Sequence, residues 1–147
     1  MPRLPTILIV DDDEGHAILI RRSFAEIGLI NEFVEFRDGQ AVLDFLLSLP
    51  PTGAKSPSMN PFVVLLDIRM PRVDGVEVLR RITADPRLNV LPVIMLSTTD
   101  DPREVDRCHG LGCCAYVRKP IDYDSFAEAV RRIGEFIRML AVPQLAS

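Results

Sequence analysis

The chain has 147 residues, 48% hydrophobic and 26% charged, with a net charge of -4. That balance suits one folded domain with its own core and excludes an intrinsically disordered chain. The negative charge supplies no basic field for nucleic acid, and no apolar run reaches the ~20 residues that a membrane span needs.

The opening Met1-Pro2-Arg3-Leu4-Pro5 has no signal-peptide apolar core, so the expected compartment is the cytoplasm. Residues 7–10 form the first unbroken apolar run, which predicts a strand buried on both faces. Ala17, Ile20, Phe24 and Ile27 then recur at helical spacing before Gly28, a helix stop. Residues 32–36 are mixed in character and predict an edge strand. Ala41, Val42, Phe45, Leu46 and Leu49 mark a second helix ending at Pro50. The segment 50–61 is a long loop, best read as surface tolerance rather than as a contact.

Residues 62–66 predict a second buried strand, and Val76, Val78, Leu79 and Ile82 a third helix ending before Pro86. Another buried strand is predicted at 93–96. Asp101-Pro102 opens a fourth helix towards Gly110, with proline in its first turn. The run 115–117 predicts a last buried strand. Asp122 is placed to cap a fifth helix with the stripe Phe126, Val130, Ile133, Ile137 and Leu140. Strand and helix alternate five times, which implies a doubly wound α/β sandwich. The whole chain, 1–147, reads as one domain, with a core of about 6–141, the extended loop 50–61 and a short C-terminal tail.

The chemistry lies just beyond the strands. The first buried run ends in Asp11-Asp12-Asp13, the second in Asp67, the third in Ser97-Thr98-Thr99, and the last in Arg118-Lys119-Pro120. Ligands of open α/β sheets bind outside the carboxyl ends of the strands, where the strand order reverses. In a flavodoxin-like parallel sheet of order 2-1-3-4-5, the first and third strands meet there. Asp11, Asp12 and Asp67 then share one crevice, with Ser97 and Lys119 arriving from the other side. Converging carboxylates repel, and a Mg²⁺ ion, which takes oxygen ligands, relieves the conflict. An aspartate beside such a metal suits nucleophilic attack on a phosphoryl group, whose oxygens the Ser97 hydroxyl and the Lys119 ammonium would hold.

With these residues in place, the chain resembles a response-regulator receiver domain over roughly residues 7–140. The matching stretches are Leu8-Ile9-Val10-Asp11-Asp12, Leu66-Asp67-Ile68-Arg69-Met70-Pro71 with Asp74-Gly75, residues 93–97, and Tyr116-Val117-Arg118-Lys119-Pro120. The resemblance implies that Asp67 accepts a phosphoryl group from a sensor histidine kinase. It implies that Asp11, Asp12, Asp67 and the backbone carbonyl of Arg69 hold Mg²⁺. By the same likeness Lys119 is the active-site lysine, Ser97 the switch hydroxyl, Tyr116 the rotating aromatic, and the Lys119–Pro120 bond cis. The long loop before the third strand resembles small single-domain regulators paired with bacterial phytochrome kinases. The position of Arg69, two residues past the acceptor, influences loss of the phosphoryl group in this family. A large cation there departs from the usual pattern and leaves the lifetime open.

Other residues carry blander readings. Asp13 and Glu14 suit a helix N-terminus, and Asp74-Gly75 suits turn and cap chemistry. His16 is expected to face solvent. The three cysteines, Cys108, Cys113 and Cys114, are read as packing residues, since their number is odd and neighbouring His109 completes no zinc set. Phe136 and Met139 widen the apolar stripe of the last helix, which points to a homodimer through the fourth and fifth helices. No helix-turn-helix follows the fifth helix, so output is expected through another protein, through dimerisation or as a phosphate sink. The rival reading is a phosphohydrolase of the haloacid-dehalogenase kind using Asp11-x-Asp13, which leaves Asp67 and Lys119-Pro120 unexplained. A pseudo-receiver that binds partners without phosphorylation ranks last.

Overall fold

Backbone pairing joins the apolar runs into one parallel sheet. The computed structural model describes residues 4–49 and 61–140, so apart from Pro61 the loop 50–61 lies outside the described residues, as does the tail 141–147. The elements are β1 (Thr6–Val10), α1 (Glu14–Glu26), β2 (Phe33–Phe36), α2 (Gly39–Leu47), β3 (Phe62–Asp67), α3 (Gly75–Ala84), β4 (Val93–Ser97), α4 (Pro102–Gly110), β5 (Ala115–Arg118) and α5 (Tyr123–Met139). The strand order is β2-β1-β3-β4-β5, as the strand-end argument requires. β1 lies between β2 and β3, with Val10 opposite both Phe36 and Leu66.

Alternate residues of each strand point to opposite faces, which explains why the central runs are apolar throughout. Leu8, Val10, Val64, Leu66 and Met95 pack against Val42 and Leu46 of α2, Leu79 and Ile82 of α3, and Cys108 of α4. Ile7, Ile9, Val63, Leu65 and Ile94 pack on the other side against Ile20 and Phe24 of α1 and Phe126, Val130 and Ile133 of α5. Every residue of β1, β3 and β4 is buried.

An aspartate caps each of the five helices. Asp13, Asp38, Asp74, Asp101 and Asp122 accept backbone N–H bonds of 2.8–3.1 Å from His16, Ala41, Glu77, Arg103 and Ser125. Each cap satisfies a first-turn donor that the helix cannot, worth about 1 kcal/mol.

Three expectations need correction. The run 115–117 is not buried on both faces. β5 is the sheet's outer strand and its residues are half-buried or exposed, because among the described residues no further strand pairs with its free edge. Cys108 and Cys113 pack in the core as expected, but Cys114 points outward and is exposed. No described peptide bond is cis, so Lys119–Pro120 takes the trans form that X-Pro bonds also favour.

Gly75, the first residue of α3, sits against the backbone of the Asp67–Ile68 turn. A Cβ there would strike the Asp67 carbonyl and come within 2.7 Å of the Ile68 Cα. Gly75→Ala is therefore expected to destabilise the fold by about 1–3 kcal/mol, since the obstacle is backbone and cannot rotate away. Urea unfolding of the variant beside wild type measures this.

Candidate functional site

All five strands run in the same direction, so their carboxyl ends open on one rim. Asp11 follows β1 directly, Asp67 is the last residue of β3, Ser97 the last of β4, and Lys119 follows β5. One oxygen from each of Asp11, Asp12 and Asp67 lies within 4.8 Å of the others, and no other such group of metal-ligating side chains occurs among the described residues. Asp11 and Asp67 are buried while Asp12 is exposed at the mouth. Arg69 and Thr98 line the same crevice with Asp12, Asp67 and Lys119.

The Lys119 side chain is only 3% exposed and is enclosed by acceptors. Its Nζ donates to Asp11 Oδ2 at 2.8 Å and lies 3.3 Å from Asp67 Oδ1. The other Asp11 oxygen accepts the Asp13 N–H at 2.9 Å, so both sides of that carboxylate are engaged. The lysine is fixed through its own backbone as well, its N–H donating to the Ser97 carbonyl at 2.6 Å.

Burial pushes the Asp67 carboxyl up to about 6, with Lys119 opposing the rise and the negative charges of Asp11 and Asp12 adding to it. The donor set suits a hard divalent cation: three convergent carboxylate oxygens, two of them from buried residues. A metal among these carboxylates would lower the cost of ionising Asp67.

Ser97 is fully buried, and its hydroxyl accepts the Thr99 N–H at 3.2 Å. Tyr116 donates its hydroxyl to the Thr99 carbonyl at 2.8 Å, holding the segment after β4 from the β5 side. Arg69 is exposed and lies 3.7 Å from Glu104 of α4, across the mouth of the crevice. Asp13 caps α1 and Asp74 caps α3, as read from the sequence.

His16 departs from expectation. Its side chain is only 37% exposed, and its Nδ1 lies 3.1 Å from Lys119 Nζ, with the ring edge-on to Phe126 at 5.2 Å. The sequence held one usable signal, the three-residue spacing from the cap Asp13, which sets His16 in the first turn of α1. Its partner lies 103 residues away and leaves no local trace.

Acid–base linkage gives a test of the site's electrostatics. The Asp67 carboxyl binds its proton more tightly in the folded than in the unfolded chain, from about 6 against 3.8. The metal-free fold therefore holds this proton-linked stability below pH ~4 and loses it as pH rises through 6. Asp67→Asn is expected to gain on wild type by about 2 kcal/mol between pH 4 and 7 and to show no further gain above that. Urea unfolding with chelator present, across that pH range, is the measurement.

The response regulator receiver domain family profile matches residues 7–131. The probable methanogenesis regulatory protein FilR2 of Methanothrix harundinacea is 37% identical over 130 residues, 88% of this chain and 81% of that protein. A response regulator receiver domain from Rhodospirillum rubrum superposes with a TM-score of 0.87 at 37% identity, covering 97% of this chain and 99% of that one. The Mn²⁺-bound response regulator Rcp1, of Synechocystis, superposes at 0.83 with 27% identity, over 95% and 99% of the two chains. The phosphorylated cyanobacterial phytochrome response regulator RcpA does so at 0.84 with 28% identity, over 97% and 100%.

Proposed function

The chain belongs to the response regulator receiver family, whose domains partner histidine kinases in two-component signalling, and on that premise we propose that it accepts a phosphoryl group on Asp67. The observation that carries the reading is the buried Lys119 ammonium lying between Asp11 and Asp67 beside a cluster of three carboxylates. That arrangement offers a nucleophile, a fixed positive charge and an oxygen-rich metal site within one crevice.

In the reaction, an ionised Asp67 oxygen attacks the phosphorus of a phosphohistidine on the kinase. The P–N bond breaks as the acyl phosphate forms, and the imidazole leaves with the bonding pair. Lys119 already faces Asp67 and offsets the charge gathering on the phosphoryl oxygens, and Ser97 supplies a hydroxyl from the end of β4. Asp11, Asp12, Asp67 and the Arg69 carbonyl are the residues that would hold Mg²⁺. Mg²⁺, when bound, neutralises the carboxylates and draws negative charge from the transferring group.

The switch in this reading is the Thr99 segment. The Ser97 hydroxyl holds its N–H and Tyr116 holds its carbonyl. If Ser97 turns to a phosphoryl oxygen, it releases the Thr99 N–H and frees the loop on which Tyr116 is anchored. Arg69, free to leave Glu104, is placed to cover the phosphoaspartate and lengthen its life. The partner kinase is proposed to be a bacteriophytochrome, in line with the likeness to RcpA. The homodimer through α4 and α5 belongs to the same proposal. Its support is that Phe136 and Met139 remain 37% and 82% exposed while Glu128 is spent on ion pairs to Arg131 and Arg132. A cytoplasmic site of action belongs to the same proposal, and among the described residues no helix is long and apolar enough to cross a membrane.

The Asp11-x-Asp13 hydrolase reading is weakened by the cap role of Asp13 and by the lysine contact of Asp11. Intact mass spectrometry after incubation with phosphoramidate and Mg²⁺ decides between the two. Wild type should gain one phosphoryl group, labile to hydroxylamine, and Asp67→Asn none. Asp11→Asn should be slowed at least roughly tenfold, as expected when a charged contact in the site is lost. Continued phosphate release by Asp67→Asn but not by Asp11→Asn would establish the hydrolase instead.

A further inference from the structure

The buried ammonium of Lys119 has three protons to place, and almost no water reaches it. Two acceptors are the carboxylates already described, at 2.8 Å for Asp11 and 3.3 Å for Asp67. The third is the Nδ1 of His16, at 3.1 Å. We infer that His16 is a positioning residue for phosphoryl transfer: it accepts the third N–H of Lys119 and keeps the ammonium within reach of Asp67 as well as of Asp11. The inference rests on the proposed acceptor role of Asp67.

Local structure explains how a residue so far from Lys119 in sequence reaches it. Asp13 caps α1 by accepting the His16 N–H at 3.1 Å, which locks the backbone of that turn. The side chain then lies back over the end of β1, where Asp11 stands. Phe126 from α5 presents the edge-on aromatic contact to the imidazole at 5.2 Å, and the same ring lies 5.8 Å beneath Lys119 Nζ. The ring thus fixes the imidazole plane and gives the ammonium an apolar floor. Carboxylates flank both ring nitrogens at 3.6 Å, Asp13 at Nε2 and Asp11 at Nδ1, so the tautomer is decided by the nearer Lys119 ammonium at 3.1 Å, which can only donate and therefore calls for a lone pair on Nδ1.

The consequence is directional. Asp11 is the nearer carboxylate and the more deeply buried. Without the third acceptor, the ammonium settles on Asp11 and its contact to Asp67 lengthens. Displacement of a catalytic charge from the acceptor slows transfer without removing any group that touches the phosphoryl donor. A purely packing role for His16 would be served equally well by leucine.

Two measurements test this. In metal-free protein at alkaline pH, long-range ¹H–¹⁵N spectra of the imidazoles, with His109→Gln to assign them, should show His16 with hydrogen on Nε2 and Nδ1 unprotonated. Lys119→Met should shift that Nδ1 resonance. A protonated Nδ1, or a resonance indifferent to Lys119, overturns the inference. The second measurement is the rate of Asp67 phosphorylation by phosphoramidate with Mg²⁺. His16→Leu should be roughly tenfold slower, the scale of one hydrogen bond to a charged group. His16→Asn, which returns an acceptor near the place of Nδ1, should stay within about twofold of wild type, thermal melts confirming that both are folded. Equal rates for Leu and wild type overturn the inference. If wild type itself gains no phosphoryl group, the acceptor reading has failed, and the spectra, which need no turnover, still decide whether His16 bonds Lys119. They also decide it if the Leu variant does not fold.

Discussion

The site depends on placing like charges together at the end of a low-dielectric sheet. Asp11 and Asp67 are buried within a few ångströms of each other, and only Lys119 among the described residues brings a buried positive charge to them. An isolated carboxylate in such a place would shed its charge by taking up a proton, and Asp67 is already displaced in that direction. The lysine limits that displacement without cancelling it. The result is a pocket that favours the arrival of further positive charge and of a group that can be held by it.

The supports of that pocket are the strongest parts of the fold. β1, β3 and β4 are buried from end to end and are paired as parallel neighbours, so the carboxyl ends of the central strands cannot shift independently. The helices are fastened at the same rim. Asp13 and Asp74 cap α1 and α3 beside the crevice, and Gly75 allows α3 to begin against the backbone of Asp67. Rigid elements thus present the carboxylates. The residues that line the mouth, Asp12, Arg69 and Thr98, are exposed and sit on connections.

The half-buried side of the sheet has a different character. β5 is an edge strand, and its Tyr116 reaches across to the Thr99 carbonyl rather than into the core alone. Thr99 is held from Ser97 on one side and Tyr116 on the other, and Arg69 spans to α4 through Glu104. These are single polar contacts at partly exposed positions, individually weak. They connect the rim to α4 and β5.

How much of this could be read from residue order follows from what local pattern encodes. The buried central runs, the helix stripes ending at Gly28 and Pro50, and the caps at Asp101 and Asp122 are consequences of periodicity and backbone chemistry within a few residues. Asp11, Asp12, Asp67, Ser97 and Lys119 were legible because each stands where a buried run stops, and parallel strands must end on one side. Edge exposure was not legible for 115–117, since an apolar run looks alike whether or not a neighbour covers it, nor was the outward turn of Cys114. His16 was the main misreading, expected to face solvent. Its role comes from a bond to Lys119 and an aromatic edge at Phe126, both supplied by the far end of the chain. Sequence by itself determined the elements, their alternation and the residues at the strand ends. Only the tertiary structure decided which side chains share the ammonium of Lys119, because that depends on distances between segments 103 and 108 residues apart.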